Sequence, residues 1–152
     1  MRGVYTATYT ISGLTTARTL MYITAAATHV VEIVSARVAN KSNETNEQME
    51  ITLQKVATLG TPTATTVTPA KDEAGDQAAA CTVKANVTAS EPSYTANTEV
   101  GYDGESSLAG YLYEPPDKLR PVIAPSATWG LRLMTAVTSL DAVVRIRFRE
   151  IG

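Results

Sequence analysis

The stretch QMEITLQKV, residues 48–56, alternates apolar and polar side chains more cleanly than the rest of the chain. A period of two places alternate side chains on opposite faces of an extended chain, so this stretch predicts a strand with one buried face. The last stretch, AVVRIRFRE at residues 142–150, has the same pattern. The residues expected to meet in a core are Met49, Ile51, Leu53, Leu131, Leu133, Val144, Ile146 and Phe148.

Further strand-like windows follow these two at regular spacing, separated by turn residues. Threonine, alanine and valine dominate the chain, and no window of a dozen residues has apolar side chains at helical spacing. Eight to ten short strands with regular turn signals are typical of an antiparallel β-sandwich or barrel, and we expect a sandwich of the jelly-roll type. The other predicted strands are Val4–Ile11, Arg18–Thr24, His29–Ala39, Cys81–Ala89, Leu108–Tyr113, Pro121–Ala124 and Trp129–Val137.

The length of 152 residues fits one domain, residues 1–152. Within it, residues 1–27 are expected to form an N-terminal arm or extra strands, and residues 40–46 a polar turn. Residues 60–79 lack large apolar side chains and contain Pro62, Pro69 and Gly75. They predict one long loop of the kind that is usually functional or mobile.

Composition excludes several function classes. The chain has 13 Lys+Arg and 15 Asp+Glu, a net charge of −2, and no basic run, which argues against nucleic acid as a partner. No apolar stretch approaches the roughly 20 residues that span a bilayer, so we expect no membrane partner and no signal peptide. The chain has one histidine, His29, and one cysteine, Cys81. It can therefore form no internal disulfide and no metal site built from several His or Cys residues. We therefore expect no cofactor and no enzymatic activity.

The last strand carries an arginine ladder, Arg145, Arg147 and Arg149, on its polar face, and Arg132 lies in the neighbouring strand along the chain. Like charges aligned in this way repel each other unless something negative lies opposite. The partners are either carboxylates of a neighbouring strand and solvent, or an acidic surface of another protein. The ladder is thus a candidate interface.

The second candidate feature is an aromatic set, Tyr102, Tyr111, Tyr113 and Trp129. These side chains are consistent with core and rim packing. Tyrosine and tryptophan are also enriched in subunit interfaces, and exposed rings can stack on sugars. We therefore list Tyr111, Tyr113 and Trp129 with the arginine ladder as candidate interface residues. Three acids, Asp72, Glu73 and Asp76, predict either a solvated loop or a weak cation site.

Several stretches together resemble a type of tailed-bacteriophage structural protein, the small virion proteins that decorate or cement phage heads. The likeness covers about residues 28 to 152 and has no catalytic signature. The stretches that carry it are Val30–Asn40, Asn46–Ile51, Gly60–Ala64, Pro69–Asp76, Gly130–Leu133 and Ile146–Glu150.

This resemblance implies a jelly-roll or tumour-necrosis-factor-like sandwich that binds the major capsid protein on the capsid exterior as a homotrimer. The protein would be made in the host cytoplasm and stabilise the assembled head. The first 25 residues lie outside the resemblance and, as an arm, would contact the shell. The alternatives are a tail, collar, baseplate or shell protein, or a carbohydrate-binding jelly roll of a receptor-binding tip.

Overall fold

The computed structural model describes residues 2–41 and 46–152 and confirms the all-β prediction. About 60% of these residues lie in strands, and the only helix among them is a 3-10 turn at Asp117–Leu119. The strands are β1 (Gly3–Leu14), β2 (Arg18–Thr24), β3 (Val30–Asn40), β4 (Gln48–Thr58), β5 (Thr63–Val67), β6 (Ala70–Lys71), β7 (Thr82–Ala89), β8 (Ser93–Tyr94), β9 (Val100–Ser106), β10 (Tyr111–Tyr113), β11 (Val122–Ile123), β12 (Thr128–Leu133) and β13 (Leu140–Ile151).

Two antiparallel sheets pack against each other as a β-sandwich. The first, sheet A, has the strand order β10-β3-β13-β1-β6, and β11 also pairs with β3. The second, sheet B, has the order β5-β7-β2-β12-β4-β8, and β9 also pairs with β4. Strands β1 and β13 are paired along most of their length, from Gly3 opposite Glu150 to Leu14 opposite Leu140.

The main strands pair in a nested order. In sheet A, β1 pairs with β13 and β3 with β10, while in sheet B β2 pairs with β12 and β4 with β9. Early strands therefore pair with late strands in reverse order. The strands of each half alternate between the sheets: β1, β2, β3 and β4 lie in sheets A, B, A and B, and β9, β10, β12 and β13 lie in sheets B, A, B and A. The segment between β4 and β9 adds β6 beside β1, β7 beside β2 and β5 beside β7, which widens both sheets.

The core lies between the two sheets, and all eight predicted core residues are buried there, each no more than 2% exposed. Phe148 stacks on Tyr5, the residue opposite it on β1, with 5.5 Å between ring centroids. Burial of side chains of this size contributes about 1.5–3 kcal/mol each. The predicted inward face of β7, from Cys81 to Val87, is also buried.

Strand β3 departs from the predicted pattern at one point. Alternation within residues 30–38 predicts that Val30, Val34, Ala36 and Val38 share the inward face. Val30 and Val34 are only half-buried, however, and Val31 and Ile33 are buried instead. The cause is a register shift between β3 and β13, where Phe148 lies opposite Ile33 but Arg147 lies opposite Ser35. The extra residue of such a bulge exchanges the two faces of a strand.

The N-terminal residues form extra strands, and the alternative of an arm is wrong for the described residues 2–27. Strand β1 lies between β13 and β6, and β2 lies between β12 and β7. Tyr5 and Ala7 of β1 and Leu20 and Met21 of β2 are fully buried. These strands complete the core because their apolar residues alternate in register with those of β13 and β12.

The prediction of one long loop at residues 60–79 is wrong in part, since β5 and β6 lie within it. Strand β5 consists mainly of threonines, and β6 has only two residues, Ala70 and Lys71. Both lie at sheet edges, so their pairing depends on their neighbours rather than on their own apolar content. Strand β9 was likewise missed, and Val137 lies beyond the end of β12 although it is buried. Four residues of the predicted polar turn, 42–45, lie outside the described residues.

Candidate functional site

The arginine ladder lies on the outward face of sheet A, as its spacing predicts. Arg147 is 48% exposed and forms an ion pair with Asp72, which follows β6, with 2.6 Å between Nη2 and Oδ2. Arg149 donates two hydrogen bonds to Oε2 of Glu32 on β3, at 2.9 and 2.7 Å. Two members of the ladder are thus paired with carboxylates of their own protomer.

Arg145 has a different environment. Its cross-strand neighbours are Thr8 on β1 and Arg37 on β3, and no described carboxylate contacts Arg145 or Arg37. Both arginines are exposed. Directly opposed side chains have Cβ atoms about 5 Å apart, and like charges on directly opposed residues destabilise a sheet.

A shallow open groove of about 270 Å³ lies at this arginine pair. Thr8 lines it and brings a hydroxyl group, and the half-buried residues Ala39 and Val143 supply apolar surface. The next residue in the same cross-strand row is Leu112 on β10, opposite Arg37 and 60% exposed. The groove therefore combines two guanidinium groups, one hydroxyl and apolar walls.

The fourth arginine, Arg132, does not join the ladder, because β12 belongs to sheet B. Its guanidinium carbon lies 4.0 Å from the ring centroid of Tyr94, and its Nη1 donates to Oε1 of Gln54 at 2.6 Å. These contacts hold residues 91–99, which we call the strap, against the outer face of sheet B.

Hydrogen bonds fix the strap at both ends. Thr19 of β2 donates to the Glu91 carboxylate from its backbone N and from Oγ1, and that same Oγ1 lies 2.6 Å from the Tyr94 hydroxyl. Gln54 of β4 donates from Nε2 to the Thr95 carbonyl oxygen and to Glu99. Burial raises the pKa of Tyr94 to about 12.

The aromatic set does not form one exposed surface. Tyr111 is 2% exposed, its hydroxyl donates to the carbonyl oxygen of Gly101, and burial raises its pKa. Tyr113 and Trp129 are partly buried and pack on the core. Tyr102 is exposed, and its hydroxyl donates to Glu50. Strand β10 turns the Tyr111 ring inward, so this ring is not on the surface of the protomer, and the four rings do not form one exposed platform.

The remaining candidate groups serve the fold. Cys81 is buried, and burial followed by the nearby Glu150 carboxylate raises its pKa. Glu150 itself is fully buried and accepts hydrogen bonds from the backbone N of Ala80 and of Cys81, with Arg2 beside it at 3.3 Å. His29, half-buried just before β3, lies 3.4 Å from an Arg2 nitrogen.

The three acids of residues 72–76 line a small open cleft together with Arg147. Asp72 also accepts a hydrogen bond from Thr6. Within residues 2–41 and 46–152, no three His, Cys, Asp or Glu side chains are grouped so as to hold a metal ion. No helix in that part of the chain is long and apolar enough to cross a membrane.

No family model matches this chain, and comparison with curated proteins and with solved structures finds no match to it. The fold and the groove geometry therefore carry the functional argument.

Sequence reasoning found Arg145 but missed Arg37. Arg37 is the one basic residue of β3, and its alternation with the apolar Ala36 and Val38 indicates an outward side chain. Which residue lies opposite it depends on the β3–β13 register and on the bulge within it. No pattern in the sequence alone indicates that pairing.

Proposed function

We propose that this protein is a virion structural protein of a tailed phage, which decorates the exterior of the assembled head and stabilises it. The observation that carries the proposal is the strand order, β1-β13-β3-β10 in sheet A and β2-β12-β4-β9 in sheet B. Eight strands nested in this way support a jelly-roll assignment, and double-sheet jelly rolls recur in viral capsid proteins and lectins. Fold alone leaves many functions open, so the surface must supply the rest.

The surface that supports a binding role is the outer face of sheet A. Its threonines and arginines are solvent-exposed or half-buried along β1, β3 and β13, whereas the strap covers the part of the outer face of sheet B around Thr19 and Gln54. The arginine ladder on this open face is proposed to approach the major capsid protein. Attachment through many copies then gives a strong total effect even when each contact is modest.

We further propose that the protein acts as a homotrimer, because closed three-fold symmetry matches the local three-fold positions of an icosahedral shell. The aromatic residues first expected to drive this association lie largely in the core. Two exposed apolar side chains at the β10–β11 edge of sheet A supply the contact surface instead, Leu119 and Val122. A stable monomer in sedimentation at micromolar concentration, with single copies on the particle, would contradict the trimer.

The test of the function is add-back to particles that have been stripped of this protein. A protein that binds only the assembled shell stabilises it by mass action. Stripped particles are expected to break at a lower temperature than decorated ones, and purified protein is expected to restore the difference.

Electron microscopy of the restored particles then locates the protein. Density on the head exterior supports the proposal. Equal robustness of stripped and decorated particles rejects the stabilising role, and density on the tail, collar or inner shell favours those structural roles instead.

A further inference from the structure

We infer that the groove between Arg37 and Arg145 is a binding site for a carboxylate side chain of an acidic protein segment. The site rests on the geometry of sheet A, and only the assignment of the carboxylate to a shell protein rests on the proposed function.

The arrangement of charge on this face favours an anionic ligand. Arg37 and Arg145 face each other across β3 and β13 without a described carboxylate partner. Each carboxylate of this face that lies near the ladder is already engaged: Glu32 by Arg149 and Arg120, and Asp72 by Arg147. Among the described residues one arginine pair is thus left without a neutralising carboxylate, and an external anion placed between the two guanidinium groups relieves their repulsion.

The shape of the hydrogen-bond donors in the groove favours a carboxylate. Guanidinium groups present planar forks of N–H donors that match a carboxylate, often through two parallel hydrogen bonds. Arg145 lies between Arg37 on β3 and Thr8 on β1, and Thr8 adds a hydroxyl to the same groove. The site therefore offers several charge-assisted donors to one oxyanion.

The apolar residues in and beside the groove favour a protein segment over a small ion as the ligand. Ala39 and Val143 give the groove apolar walls, which suit the methylene groups of a glutamate. Leu112, exposed in the same cross-strand row, offers an apolar contact to the residues beside that glutamate. A free phosphate uses neither feature.

The experiment is a titration of the ¹⁵N-labelled full chain, observed at the arginine Nε–Hε signals. The probes are a hexaglutamate peptide, a hexaglutamine peptide of equal length and inorganic phosphate. We expect hexaglutamate to shift the Arg37 and Arg145 signals saturably, and the other two probes to shift them far less. Equal shifts with phosphate would reassign the groove to small oxyanions, and no saturable shift at either arginine would overturn the site.

Substitutions test whether the peptide binds to this arginine pair or is attracted by the positive charge of the whole face. Arg37→Gln and Arg145→Gln are each expected to weaken peptide affinity about tenfold, the value of one lost charge-assisted contact. Arg147→Gln, which removes a charge that Asp72 already neutralises, is expected to weaken it about twofold or less. Lys55→Gln on β4 of sheet B is the matched control for the change in net charge. An equal loss at Arg147 would overturn the inference in favour of diffuse attraction.

The same variants on stripped particles distinguish this inference from the proposed function. If the Arg37→Gln, Arg145→Gln double variant binds particles as tightly as the wild type, the assignment of the carboxylate to a shell protein is overturned and the decoration role stays intact. Specific peptide binding by a protein that never attaches to particles leaves the groove intact and rejects the decoration role.

Discussion

The outer faces of the two sheets have similar alternating sequences but opposite environments. On sheet B, Thr19, Thr52 and Gln54 point outward and are each no more than 3% exposed, because the strap and the segment after it cover them. On sheet A, Thr8 and Arg145 also point outward and remain in solvent. An outward polar residue such as Thr19 is therefore structural on sheet B, whereas on sheet A outward residues such as Thr8 and Arg145 can contact a partner.

The hydrogen bonds explain why the two faces serve different purposes. A buried polar group is stable only when it has a partner, and on sheet B the strap supplies those partners. On sheet A, water solvates the side chains, and a repulsive pair persists at Arg37 and Arg145. Arrangements that cost stability are concentrated at functional sites, which is consistent with the proposed groove.

The largest expected effect concerns the core that both faces share. Phe148→Ala should lower the free energy of unfolding by about 3–5 kcal/mol, because the ring is fully buried against Tyr5. Urea denaturation monitored by circular dichroism measures it. A change below about 1 kcal/mol would mean that the faces of β13 are assigned in reverse.

The next effect tests the covered face. Tyr94→Phe removes the hydroxyl that lies 2.6 Å from Thr19 Oγ1 and should lower the free energy of unfolding by about 1–2 kcal/mol. Tyr102→Phe is the matched control, because that exposed hydroxyl donates only to Glu50 and its loss should cost about 0.5 kcal/mol or less. Equal costs for the two variants would contradict a sealed strap.

Alkaline pH sharpens the same contrast. The pKa of Tyr94 is raised to about 12 in the folded protein, against 10.0 ordinarily. Its stabilising contribution is complete below pH 10, and it is lost as pH rises toward 12, since the unfolded chain releases the proton first. Wild type should therefore lose about 1 kcal/mol relative to Tyr94→Phe between pH 8 and pH 11. A constant difference between the two proteins would indicate a solvated hydroxyl.

The smallest effects distinguish the arginines of the open face. Arg147→Gln should lower the free energy of unfolding by about 0.5 kcal/mol, since its ion pair with Asp72 is partly exposed and screened by water. Arg145→Gln should leave it unchanged or raise it by a few tenths of a kcal/mol, because it relieves the repulsion with Arg37. Thermal and urea unfolding of both variants measure the difference, and a larger loss for Arg145→Gln would show that it has a partner in the protomer.

Periodicity predicted the core residues correctly because burial of one strand face leaves a direct record in the sequence. In the stretches that contain Met49 and Ile146, for example, every second residue is apolar, and both of these side chains are fully buried. The same logic failed at Val34, where a bulge exchanges the faces, and at β5 and β6, whose small side chains carry little pattern.

The sequence by itself determined the all-β class, the inward face of most long strands and the outward direction of the arginine ladder, since these follow from a local period of two. Only the tertiary structure decided that Arg147 and Arg149 have carboxylate partners whereas Arg145 lies opposite Arg37. It also decided that Tyr111 lies inward and that the strap covers part of the outer face of sheet B. Those outcomes depend on strand register and on contacts between residues far apart in the chain. Register is set by the packing of whole sheets, which no local window contains.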